Sequence, residues 1–165
     1  MKKLLIYGYG NPGRSDDGLG IKLAEFAKQW AIENNKWQIN VETSYQLNIE
    51  DAEIISHYDY VIFSDASTKN IDGIQLSIVK PKKKTLEFTM HSMPVEYILY
   101  LCKQHFKKTP VTLLLQIKGK EWDTKEELSP TGEKNLKMAI EFIKHFYNSL
   151  YSKYLNKQYA TSMME

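Results

Sequence analysis

Residues 3–20 read KLLIYGYGNPGRSDDGLG. Leu4 to Tyr7 is a short continuous apolar run, the pattern of a strand buried on both faces, as parallel sheets require. Gly8, Gly10 and Gly13 follow. Beyond them Leu19, Leu23, Phe26 and Trp30 recur at three- and four-residue steps, with Lys22, Glu25 and Lys28 outside that apolar face. A strand, a glycine-rich turn and an amphipathic helix ending near Asn34 and Asn35 form the first unit of an α/β chain.

The alternation continues outward from this unit. Trp37 to Thr43 places apolar and polar residues in turn, as a half-buried strand near the sheet edge does. NIEDAEIISHY (48–58) reads as a short helix with an acidic first turn, and YVIFSDAS (60–67) is a second buried run. Ile74 to Val79 alternates as a modest strand, followed by the basic stretch KPKKK (80–84). Pro94 to about Phe106 carries Val95, Ile98, Leu101 and Cys102 at helical spacing, and VTLLLQI (111–117) is the third continuous apolar run. Ser129 before Pro130 suits an N-cap with proline at the first helical position. Leu136, Ile140, Ile143, Tyr147 and Leu150 then continue one stripe. The spacing predicts an α/β fold: a three-layer α/β/α sandwich, doubly wound, on a mostly parallel twisted sheet of about five strands. Residues 1–155 form one domain in this reading, and 156–165, polar and without a period, form a flexible tail.

Composition narrows the function classes. The 165 residues, with 42% hydrophobic and 25% charged side chains, match one ordinary globular domain. The 22 basic and 20 acidic residues nearly balance, which argues against non-specific nucleic-acid binding. Cys102 is the single cysteine and closes no intramolecular disulfide. The opening apolar run is too short for a signal peptide or a membrane span, so a cytoplasmic location with no membrane partner is expected.

In a doubly wound sheet, ligands bind beyond the carboxyl ends of the strands, which points to the loops after Tyr7, Ser64, Val79 and Ile117. Gly8, Gly10 and Gly13 have dinucleotide-site spacing, but Asp16 and Asp17 repel phosphate and favour a cation. The bland reading of the three glycines is a tight strand-to-helix turn. Asp16 and Asp17 are adjacent, so their side chains should diverge, Asp16 capping the following helix and Asp17 projecting into the crevice. Asp65 is the first acidic residue after YVIFS, although a turn or cap aspartate is the plainer reading of its position. His91 stands in the loop before SMPVEYIL; His57, His105 and His145 lie on helices away from the crevice. Two carboxylates and an imidazole from three loops would make an N and O ligand set suited to Ni, Zn or Fe.

With these residues in view, the chain resembles the hydrogenase maturation endopeptidases. The match rests on GYGNPGRSDDGLG against that family's G-x-G-N-x-x-R-x-D-[DE]-G-x-G pattern, on VIFSDAS, on the histidine in TMHSMPVEYIL, on Gly119 after VTLLLQIK, and on LSP before the last helix. It spans about residues 3 to 150. The segment SYQLNIEDAE looks like a branch with an H-Q-L-type sequence, associated with soluble NAD-linked or bidirectional hydrogenases, and TKNIDGIQ lacks the family's frequent proline before its glycine. The resemblance implies a protease that removes a C-terminal extension from a nickel–iron hydrogenase large-subunit precursor after nickel insertion. Asp17, Asp65 and His91 would be its metal-contacting and catalytic residues, with Gly8, Gly10, Asn11, Gly13 and Asp16 shaping the loop beside them. The nickel would be carried by the substrate, with Zn or Cd as occupants in vitro, and the enzyme would be a monomer.

Two rival readings share part of these features. Peptidyl-tRNA hydrolases share the GNPG of residues 10–13, but RSDDGLG stands where that family has its histidine segment, and no histidine precedes His57. A nickel- or precursor-binding module without turnover has no sequence signature that separates it from the protease.

Overall fold

The structure, a computed structural model, describes residues 2–36, 38–83 and 93–162, with residues 153–162 as helix backbone. His91 and Trp37 therefore lie outside the described residues. Five strands, β1 (Leu4–Tyr9), β2 (Ile39–Ser44), β3 (Tyr60–Ser67), β4 (Ile74–Ile78) and β5 (Val111–Lys118), form one sheet in the order β2-β1-β3-β5-β4. β1, β2, β3 and β5 are parallel, and β4 joins β5 antiparallel at the edge.

The three continuous apolar runs are the three central strands. Leu4, Leu5, Ile6, Val61, Ile62, Phe63 and Leu115 are fully buried because helices cover both faces. On one face α1 (Leu19–Glu33) and α4 (Pro130–Ser162) pack over Leu4, Ile6, Ile62, Leu113, Leu115 and Ile117. On the other, α2 (Asp51–Ser56) and α3 (Val95–Phe106) pack over Leu5, Tyr7, Val61 and Phe63. This is the expected doubly wound α/β/α sandwich.

Two expectations change. Because β4 runs antiparallel, Ile78 pairs with Leu113 and the Val79 amide donates to the Thr112 carbonyl, near the start of β5. The loop after Val79 thus leaves from the amino end of the parallel strands, away from the crevice, and it is the start of β4 that adjoins it. Second, α4 does not stop near Leu155 but continues as helix to Ser162, through residues whose sequence shows no amphipathic period.

The winding direction sets the site. From β1 the chain moves outward to β2, then crosses to β3 on the other side of β1, so the switch point lies between the carboxyl ends of β1 and β3.

Candidate active site

At the switch point α1 is held directly against the strand backbones. A Cβ on Gly8 would collide with the Gly20 carbonyl, and one on Gly20 would collide with the Ser64 carbonyl. The Ser64 hydroxyl donates to the Gly20 carbonyl across 3.3 Å. Gly10 turns the chain out of β1 at φ +133°, where its Cβ position is filled by the Asp17 carbonyl. The loop then folds on itself: the Asn11 side-chain oxygen accepts the Gly13 amide at 2.9 Å, and Asp17 Oδ2 accepts the Asn11 amide at 3.1 Å.

Asp16 and Asp17 diverge, but not with the division of labour predicted. Asp16 does not cap α1, whose N-terminus has no side-chain cap and follows a 3-10 turn over Ser15–Gly18. Its buried carboxylate turns instead to the loop after β5. Oδ2 accepts the Lys120 amide at 2.7 Å, the Glu121 amide at 3.0 Å and the Ser129 hydroxyl at 2.6 Å, while Oδ1 accepts the Ser129 amide at 2.9 Å. Ser129 is the N-cap anticipated for α4, its Oγ accepting the Gly132 amide at 2.9 Å. Burial pushes the Asp16 carboxyl up, but the Ser129 hydroxyl and the three amides outweigh that and hold it below the usual carboxylate range. Ser15 completes the seam, its amide donating to the Lys125 carbonyl at 2.7 Å and its hydroxyl to that of Glu127 at 2.8 Å. Nothing local in the sequence marks Ser15 for this role.

Asp65 lies on β3 itself rather than in the loop after it. Strand alternation from Phe63 puts it on the α2/α3 face, and alternation from Tyr7 puts Tyr9 of β1 on the same face. Asp65 is pushed up to about 7, first by burial and then by the charge of Asp17; the Tyr9 hydroxyl, directed at the carboxylate, and the Ala66 amide offset part of this. The Tyr9 phenol is held well above its ordinary value by burial and by the charge of Asp65. Tyr9 also packs edge-on against Phe63, ring centroids 6.4 Å apart. The sequence offered one missed cue to it: carrying the Leu5–Tyr7 alternation one step past Gly8 brings Tyr9 to Asp65.

The structure therefore brings Asp17 and Asp65 within electrostatic reach of each other, with Asn11 and the glycine turn around them and Asp16 behind. Among the described residues no group of three His, Cys, Asp or Glu side chains converges as a metal cage. Asp17 and Asp65 are the described groups here that could contribute oxygen ligands to a cation. The charge of Asp17 raises the cost of ionising Asp65, and a cation between them would relieve it. A carboxyl titrating near neutrality can also accept or deliver a proton at ordinary pH.

Comparison with known proteins bears on the fold. The crystal structure of a nickel–iron hydrogenase maturation protease, HycI, from Thermococcus kodakarensis superposes with a TM-score of 0.68 at 19% identity, covering 89% of this chain and 93% of that one. The chain has the fold of the hydrogenase maturation proteases. HybD, the hydrogenase maturating endopeptidase of Escherichia coli, gives a TM-score of 0.65 at 18% identity over 86% of this chain and 89% of that one. In sequence, a candidate hydrogenase maturation protease of Methanocaldococcus jannaschii is 24% identical over 151 residues, covering 86% of this chain and 89% of the relative. No family model matches. Among the described residues no helix is long and apolar enough to cross a membrane.

Proposed function

We propose that this chain is a hydrogenase maturation endopeptidase, cleaving the C-terminal extension from the large-subunit precursor of a nickel–iron hydrogenase once nickel is in place. The observation that carries the reading is the carboxylate pair Asp17 and Asp65 at the switch point of a maturation-protease fold, one member poised near neutrality. The nickel belongs to the substrate, and Asp17, Asp65 and His91 are proposed to recognise it, with Zn or Cd able to stand in for it in vitro. Docking of a loaded metal against Asp17 and Asp65 would draw the proton from Asp65 and fix the scissile peptide beside the resulting carboxylate. Asp65 would then accept the proton of the attacking water and return it to the leaving amine, for which a group titrating near the working pH is suited. Asp17, fixed by the Asn11 amide, would serve as an oriented carboxylate contact to the metal.

The test is the intact mass of a nickel-loaded precursor before and after incubation with the wild type and with Asp17→Asn. Loss of a C-terminal peptide with the wild type alone, dependent on nickel, is expected. An unchanged mass with stable binding would replace protease by precursor-binding factor, and an unchanged mass without binding would remove the assignment.

A further inference from the structure

The sheet register carries the site beyond Asp65. Asp65 pairs directly with Gln116 of β5, and Gln116 pairs directly with Gln75 of β4. Alternation puts all three side chains on the α2/α3 face, since Phe63, Leu114 and Val79 pack there at the same parity. Neighbouring strands are about 4.8 Å apart, so the three side chains form a row about 10 Å long from the candidate site to the β4 edge, about three residues of extended chain. The row is open. Gln75 is exposed and Gln116 half-buried, and among the described residues neither carboxamide has a hydrogen-bond partner. The contrast with Lys118, the next β5 residue on that face, is informative, because its ammonium donates to the Thr68 carbonyl at 3.1 Å.

Among the described residues no buried side-chain nitrogen or oxygen lacks a partner, so the Gln116 carboxamide is reached by solvent and free to bind, and its paired donor and acceptor match a peptide's C=O and N–H. It is also uncharged, so it would neither neutralise nor repel Asp65. We propose that Gln116, with Gln75 beside it, binds the main chain of an extended peptide segment adjoining the scissile bond. The role rests on the endopeptidase reading and extends it to a peptide lane running from Asp65 across β5 to β4. Sequence tolerance in the bound segment follows, because main-chain contacts carry no side-chain information.

The experiment is steady-state cleavage of the nickel-loaded precursor by the wild type, Gln116→Leu, Gln116→Asn and Gln75→Ala, with a thermal melt of each. Loss of a neutral hydrogen bond should raise KM about three- to tenfold for Gln116→Leu with kcat within about twofold, Asn recovering part of the loss and Gln75→Ala showing a smaller rise. Melting midpoints should not move. An active wild type with all three variants unchanged in KM, or with a loss confined to kcat, would overturn the peptide lane and leave the endopeptidase reading standing. An inert wild type would overturn that reading and the lane with it. Should Gln116→Leu fail to fold, the Asn and Gln75 variants decide on the same criteria.

Discussion

Replacing Asp16 by asparagine tests how the crevice is held together. The substitution keeps size and shape but leaves one acceptor oxygen where there were two. With the amide oxygen in the Oδ2 position, the Lys120, Glu121 and Ser129 hydroxyl bonds survive without their charge, and the new NH2 group confronts the Ser129 amide, donor against donor. Reversing the amide strands three donors instead of one. Hydrogen bonds to a charged acceptor contribute about 1.5–3 kcal/mol each and are not additive, so a net loss of about 2–4 kcal/mol is expected. In a chain of this size that lowers the melting midpoint by roughly 4–16 °C. Urea unfolding at pH 7 reads the loss directly. The pH dependence supplies a second check. The folded pKa of Asp16 is below its ordinary 3.8, so its contribution is complete above that value and disappears as pH falls through the folded value. The gap between wild type and Asp16→Asn should therefore close in acid. A variant within about 0.5 kcal/mol of wild type at pH 7, the range of ordinary surface substitutions, would refute the Asp16 network as the support of the crevice. So would a gap that persists unchanged below pH 3.

Asp65 should behave in the opposite sense. Its folded pKa of about 7 lies above the ordinary 3.8, so folding is favoured while the carboxyl is protonated, and stability is lost as pH rises from about 4 to 7. Between pH 5 and pH 8 the metal-free wild type should lose about 2–3 kcal/mol relative to Asp65→Asn, measured by paired urea titrations; parallel curves would contradict it. Asp65→Asn should also abolish cleavage. Tyr9→Phe removes a hydrogen bond that favours the Asp65 carboxylate, so the Asp65 titration followed by NMR should move upward; a downward shift or none would show that the phenol does not act on it.

Most of the fold is legible in the sequence, for a physical reason. The runs at Leu4, Val61 and Leu113 are apolar without interruption because each strand is covered twice, and only a central parallel strand needs that. The strand Ile74–Ile78 alternates, but alternation is the same in either direction, so its antiparallel course and the displaced loop after Val79 were invisible. The site was legible where it is local. The glycine turn, Asn11 and Asp17 lie within ten residues and interact with one another. Asp16 was misread because its partners lie more than a hundred positions away, and a helix beginning next to it made capping the economical explanation. Tyr9 is hidden in the sequence because the apolar run ends at the first glycine, whereas Gly8 is there to admit α1 and the strand continues to Tyr9.

The seam between residues 14–17 and 119–132 also imposes an order on synthesis. Asp16 and Ser129 are separated by 113 positions, so a growing chain exposes its aspartate pair long before the amides that hold Asp16 have been made. Closing so long a loop is entropically unfavourable until the intervening strands have paired, and contacts of this separation slow folding. The crevice is therefore assembled late, after β5 has entered the sheet and the first turn of α4 has formed. A ribosome-bound fragment ending before Ser129 would carry the aspartate-bearing loop without the frame that aims it.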